Sequence, residues 1–148
     1  MEYRLDLNNL YKILELVSHY NCKLLPVIKG RDEEDILQLY NEGFREFGEN
    51  RLNELSNHAR FLPEASFHFI APLQSRKIRE IMNSCDFIHK LQRPKEILAI
   101  NQCYENQDIF VQINIDDDPN KSGIKINEVD EFFDNFEGLK YFPVGIMC

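Results

Sequence analysis

A lysine closes the apolar run Leu24-Leu25-Pro26-Val27-Ile28-Lys29, immediately before Gly30. A short continuous apolar run, bounded by Asn21 upstream and a glycine and charges downstream, predicts a buried parallel strand. An amine at the C-terminal end of such a strand loses its proton more easily when desolvated and can form a Schiff base. It can equally reach water while its stem packs. Other polar residues stand at the ends of other apolar segments: Glu49 and Asn50, His68, Lys90 and Asn114. Glu49 and Asn50 also suit the start of a helix at Arg51. His68, between Phe67 and Phe69, also suits a hydrogen-bonded core position. His19, His58 and His89 read as surface or packing residues, and no His/Cys/Asp spacing suggests a metal. The acidic stretch Asp116-Asp117-Asp118-Pro119-Asn120 lacks the glycine and glutamate of a calcium loop and reads as a solvated turn.

These residues need a scaffold that brings many strand ends to one face, and the rest of the chain supplies one. Apolar strand, polar loop and amphipathic helix alternate six times. Strands are expected at 24–29, 45–47, 67–70, 86–90, 109–115 and 141–147. Helices are expected over 7–20, from 32 to Gly43, through Leu52 and Ala59, over 75–82, from Pro94, and around Val129, Phe132 and Phe133 until Gly138. Phe132, Phe133 and Phe136 read as packing against the sheet or as a surface to be covered. An open doubly wound sheet and a (β/α)₈ barrel both alternate in this way. The glycine fingerprint of dinucleotide folds is missing, and candidate residues spread over several strand ends, as on a barrel's active face. The expected fold is therefore α/β, an incomplete (β/α)₈ TIM-type barrel of about six parallel strands with outer helices.

The 148 residues read as one domain with a normal apolar content of 43%. A formal charge of −8 argues against binding nucleic acid through a broad basic face. No run is long enough for a membrane span, and Met1-Glu2-Tyr3-Arg4 does not open a signal peptide. Four dispersed cysteines (Cys22, Cys85, Cys103, Cys148) read as reduced packing thiols, so the expected location is the cytoplasm.

The motifs Glu46-Phe47-Gly48-Glu49-Asn50, His68-Phe69-Ile70-Ala71-Pro72-Leu73-Gln74-Ser75-Arg76-Lys77, Lys121-Ser122-Gly123-Ile124 and Gly145-Ile146-Met147-Cys148 follow the lysine strand in order. Together they resemble the pyridoxal-phosphate homeostasis proteins, relatives of the N-terminal barrel of alanine racemase. The resemblance implies pyridoxal 5′-phosphate (PLP) held as a Schiff base on Lys29, with a role in vitamin B6 and amino-acid homeostasis and without robust catalysis. It further implies cofactor-binding roles for Asn50, His68, Met147, Glu49, Gln74 and Ser122. Gly30, Ala71 and Arg76 depart from the family's usual small hydroxyl residue, glycine and asparagine. Family members also continue through two more strand–helix units, whose loops hold the phosphate. Residues 1–148 are thus expected to form a single PLP-binding, barrel-like domain lacking those two units. The alternative is a cofactor-free truncated barrel acting as a structural or interaction domain; racemase-like activity is the weakest reading. Two unpaired sheet edges would invite a homodimer or a complementing chain.

Overall fold

The computed structural model describes residues 5–148, so the opening tetrad Met1 to Arg4 lies outside the described residues. Six α-helices are formed: α1 (Leu7–Ser18), α2 (Glu33–Asn41), α3 (Leu52–Phe61), α4 (Ile78–Met82), α5 (Pro94–Cys103) and α6 (Val129–Asp134). The strands are β1 (Glu46–Glu49), β2 (Ser66–Phe69), β3 (Phe87–Leu91), β4 (Asp108–Asn114), β5 (Ile124–Lys125) and β6 (Gly145–Met147). All the pairings are parallel, and they run β1-β2-β3-β4, with β5 and β6 both on β4. No strand order reverses along this path. The doubly wound alternative is therefore excluded, and the layout is that of an incomplete TIM-like barrel.

The lysine strand is shorter than expected. Residues 24–29 contribute one parallel bridge, Val27 to Gly48, closed by Ile28 N–H on the Gly48 carbonyl and Gly48 N–H on the Pro26 carbonyl. Pro26 has no N–H to extend the ladder, which suits an edge position. The last strand also shrinks, to residues 145–147, because Pro143 lacks a donor; Val144 N–H on the Ile109 carbonyl begins the pairing. The two-residue β5 falls where the sequence reads as loop.

Side chains alternate across the sheet, and the two faces have different chemistry. The outer face carries Phe47, Phe67, Ile88, Ile109 and Val111, all nearly inaccessible, beneath Leu55, Ile78, Ile81, Ile97 and Ile100 from the helices. This layer is the hydrophobic core, and its burial is the main stabilising term. The inner face carries Val27, Gly48, His68, His89, Phe110 and Gln112 instead. Val27 on that face is 45% exposed. At one end of the sheet, Phe136 packs edge-on with Phe132, Tyr141 and Phe142.

Gly123 fixes how the loop after β4 returns to the sheet. Its φ is +123°, and a Cβ there would lie 2.7 Å from the Asn114 backbone nitrogen. Gly123→Ala should therefore cost at least about 2 kcal/mol in urea unfolding, since both backbone and neighbour must shift. An unchanged unfolding midpoint would show that the loop is not held this tightly.

Candidate functional site

The strand ends converge as expected, but they sort into separate groups. Lys29 lies two residues beyond the Val27–Gly48 bridge, on the same alternation as Val27, and its side chain is exposed. Asn50 lies two residues beyond Gly48, half-buried, with Oδ1 buried and unpartnered. Lys29 enters the turn closed by Arg31 N–H on the Ile28 carbonyl, so both it and Asn50 lie just past the ends of two neighbouring segments of the sheet.

His68 sits deeper than these ends. It shares a register row with Val27, Gly48 and Phe87. Its ring is stacked on Phe87 at 3.9 Å, and its Nδ1 lies 2.9 Å from His89 Nε2. Its other nitrogen faces Glu46 Oε2 at 3.5 Å. His89 in turn stacks on Phe110 at 4.6 Å. The sequence reading of His89 as packing held in part, but its partnership with His68 depends on the strand register and is invisible in the sequence. Burial pulls both imidazoles toward the neutral form: His68 below its ordinary value in spite of Glu46, and His89 down to about 4 through burial and the neighbouring His68.

Glu49 alternates to the opposite face and is fully buried under α3. Its Oε1 accepts from the Asn50 and Arg51 amides at 2.7 and 3.0 Å, while Oε2 faces His58 Nδ1 at 3.4 Å. Burial, the largest influence, raises its pKa. Glu49 holds the approach to α3, and with it the turn bearing Asn50. Glu96 does the same for α5, accepting from the Gln92 and Arg93 amides at 3.1 and 3.0 Å.

The remaining candidates lie elsewhere. Met147 pairs with Gln112 at the far edge of the sheet from Lys29. Gln74 is exposed before a short 3₁₀ turn (Ser75–Lys77), off the inner face. Ser122 lines a cleft of about 530 Å³ at the ends of β3 and β4, together with Lys90, Gln112 and Lys121. Lys29 is not among its lining residues. In the acidic loop beside it, Lys121 pairs with Asp116 at 2.8 Å and Lys125 with Asp117 at 3.0 Å. Gln112 went unnoticed in the sequence; its signal was a polar residue inside the β-branched run of β4.

The alanine racemase N-terminal domain model matches residues 7–148. The chain belongs to that family. Among relatives, the pyridoxal phosphate homeostasis protein of Pasteurella multocida is 32% identical over 135 residues, covering 85% of this chain and 58% of that protein. Its namesake in Escherichia coli K12 is 34% identical over 124 residues, covering 73% and 50%. The fission yeast Schizosaccharomyces pombe namesake is 28% identical over 144 residues, covering 92% and 61%. The chain therefore spans between 50% and 61% of the length of these relatives. Among solved structures, PipY of Synechococcus elongatus with PLP bound superposes at a TM-score of 0.71 and 20% identity, covering 91% of this chain and 71% of that one. A Bifidobacterium adolescentis protein of unknown function gives 0.71 at 21%, covering 94% and 63%. These superpositions support the alanine racemase N-terminal fold. Among the described residues no helix is long and apolar enough to cross a membrane, and no cluster of metal-ligating groups forms.

The histidine pair makes stability depend on pH. Unfolded, His89 titrates near 6.5; folded, it resists protonation down to about 4. The unfolded chain thus takes the proton first, so stability is full above pH 6.5 and falls as pH drops toward 4. Urea midpoints across that window should fall in the wild type and fall less in His89→Phe. Parallel curves for the two proteins would contradict this account.

Proposed function

We propose that this chain binds pyridoxal 5′-phosphate through Lys29 and serves vitamin B6 homeostasis without robust catalysis. The observation that supports the reading is that Lys29 is exposed two residues past the Val27–Gly48 bridge, while Asn50, two residues past Gly48 on the paired strand, has an unpartnered buried Oδ1. The family and the names of the relatives agree with it. An aldehyde needs an accessible amine, and Lys29 is one. Asn50 offers a polar partner beside that amine, and Glu49 fixes the turn that presents it. When bound, the cofactor supplies an electron sink for carbon chemistry.

The phosphate end is matched less well. A phosphate is ordinarily held by free amides at a helix start. At this end of the sheet, carboxylates bind one first-turn amide of α2, Asp32 accepting from Asp35 N–H at 2.9 Å, and the amides just ahead of α3 and α5, where Glu49 accepts from Asn50 and Arg51 and Glu96 from Gln92 and Arg93.

We also propose self-association, through the outer face of the last strand. Phe142, Val144 and Ile146 alternate along one side and are 62%, 59% and 58% exposed. A contiguous apolar stripe on a sheet edge, with Pro143 as its only edge blunting, favours pairing with a second copy. Light scattering should give twice the 17.6 kDa chain mass at micromolar concentration. A mass of one chain throughout would reject this part of the reading.

The cofactor reading is tested by absorbance after adding PLP to the purified chain. A near-visible band is expected in the wild type and its loss in Lys29→Ala. With unbound cofactor removed before the spectrum is read, an equal band in both proteins would reject Lys29 as the attachment point, and no band in the wild type would favour the cofactor-free interaction domain instead.

A further inference from the structure

The β3–β4 pairing contains an irregularity that aims a second lysine inward. Ile88 pairs with Ile109 and Leu91 with Val111, so two residues of β3, His89 and Lys90, oppose the single Phe110. Such a bulge turns the extra side chain away from its normal alternation and recurs beside binding sites. Here it directs Lys90 into the cleft at the ends of β3 and β4, where the side chain is half-buried. No carboxylate pairs with Lys90 among the described residues.

Two further groups in the cleft lack partners. Gln112 is only 8% exposed, and its Oε1 is buried with no hydrogen bond. A buried polar atom left unpaired is costly and calls for an explanation. Ser122 presents a hydroxyl that bonds to nothing else among the described residues, on a loop held in place by the Asn114 amide. That amide donates to the Asp118 carbonyl at 2.8 Å and accepts from the Asp118 N–H at 3.1 Å. The cleft's other cation, Lys121, is already neutralised by Asp116. The site thus offers one uncompensated positive charge, one hydroxyl and one amide needing a donor.

We propose that this cleft binds a small monocarboxylate carrying a hydrogen-bond donor on its α-carbon, a 2-hydroxy or 2-amino acid. Lys90 and Ser122 take the carboxylate, and Gln112 Oε1 accepts from the α-donor. A phosphate dianion is disfavoured, because it would meet a single free cation beside the Asp116 carboxylate. The proposal does not rest on the cofactor reading, since the cleft lies three strands along the sheet from Lys29.

The test is NMR titration of the cofactor-free chain with L-lactate, L-alanine, propionate and inorganic phosphate. L-lactate, L-alanine or both should shift the Lys90 and Ser122 amides, and whichever binds more tightly identifies the physiological class. Propionate, lacking the donor, should bind about fivefold more weakly, the worth of one hydrogen bond. Lys90→Met should abolish the shifts. Should that variant fail to fold, Ser122→Ala on the exposed loop should weaken them about fivefold. Propionate matching lactate, phosphate competing for the same amides, Lys90→Met retaining binding, or no shift with any acid at about 10 mM, ten times a millimolar Kd, would each overturn the proposal.

Discussion

The two-residue alternation of parallel strands governs this molecule. Each strand must bury an apolar side chain under a helix on one face and is then obliged to present its neighbour on the other. Phe47, Phe67, Ile88 and Val111 meet the first demand and are inaccessible to water. Gly48, His68, His89 and Gln112 follow from the second. The core thus stabilises the sheet from outside, leaving the inner face free to carry polar groups. A single residue of slip in any strand would exchange the two faces. The β3 bulge is the one place where the register is broken among the paired strands, and it adds Lys90 to the inner side.

Buried carboxylates set the geometry of the rim. Glu49 and Glu96 are fully buried and hold the amides that lead into α3 and α5. An Arg93 guanidinium bonded to Glu96 and to the Leu73 carbonyl ties two of the loops together. These carboxylates act by positioning: they shape the turns from which Asn50 and Gln92 depart, and they occupy donors that an anionic ligand would otherwise use. The inner histidine pair adds a second constraint. His68 and His89 are each stacked on a phenylalanine and bonded to one another, and their burial favours the neutral imidazoles.

Much of this was legible in the residues. The apolar runs located β1 to β4 and β6 to within a few residues but not β5, and the helical spacing of Leu10, Ile36, Leu55 and Ile97 located four of the helices. Gly43 and Gly138, both at positive φ, marked two stops correctly. The shortening at Pro26 and Pro143 follows from missing donors, a signal present in the sequence itself. The separation of the candidate site was not legible, because it depends on which strand neighbours which and at what offset. Glu49 and Asn50 are adjacent in sequence, yet alternation places them on opposite faces. Ser122 joined Lys90 and Gln112, not Lys29, because β5 returns the loop to the end of β4.

The central claim is that the exposed position of Lys29 just past the Val27–Gly48 bridge, not general surface exposure, selects it for the cofactor. The most direct test is to incubate the chain with pyridoxal 5′-phosphate, reduce with borohydride, and map the modified lysines by mass spectrometry. The account predicts that Lys29 is modified first and at substoichiometric cofactor, ahead of the exposed Lys23, Lys77 and Lys121. Modification spread over those lysines with no preference for Lys29 would contradict it.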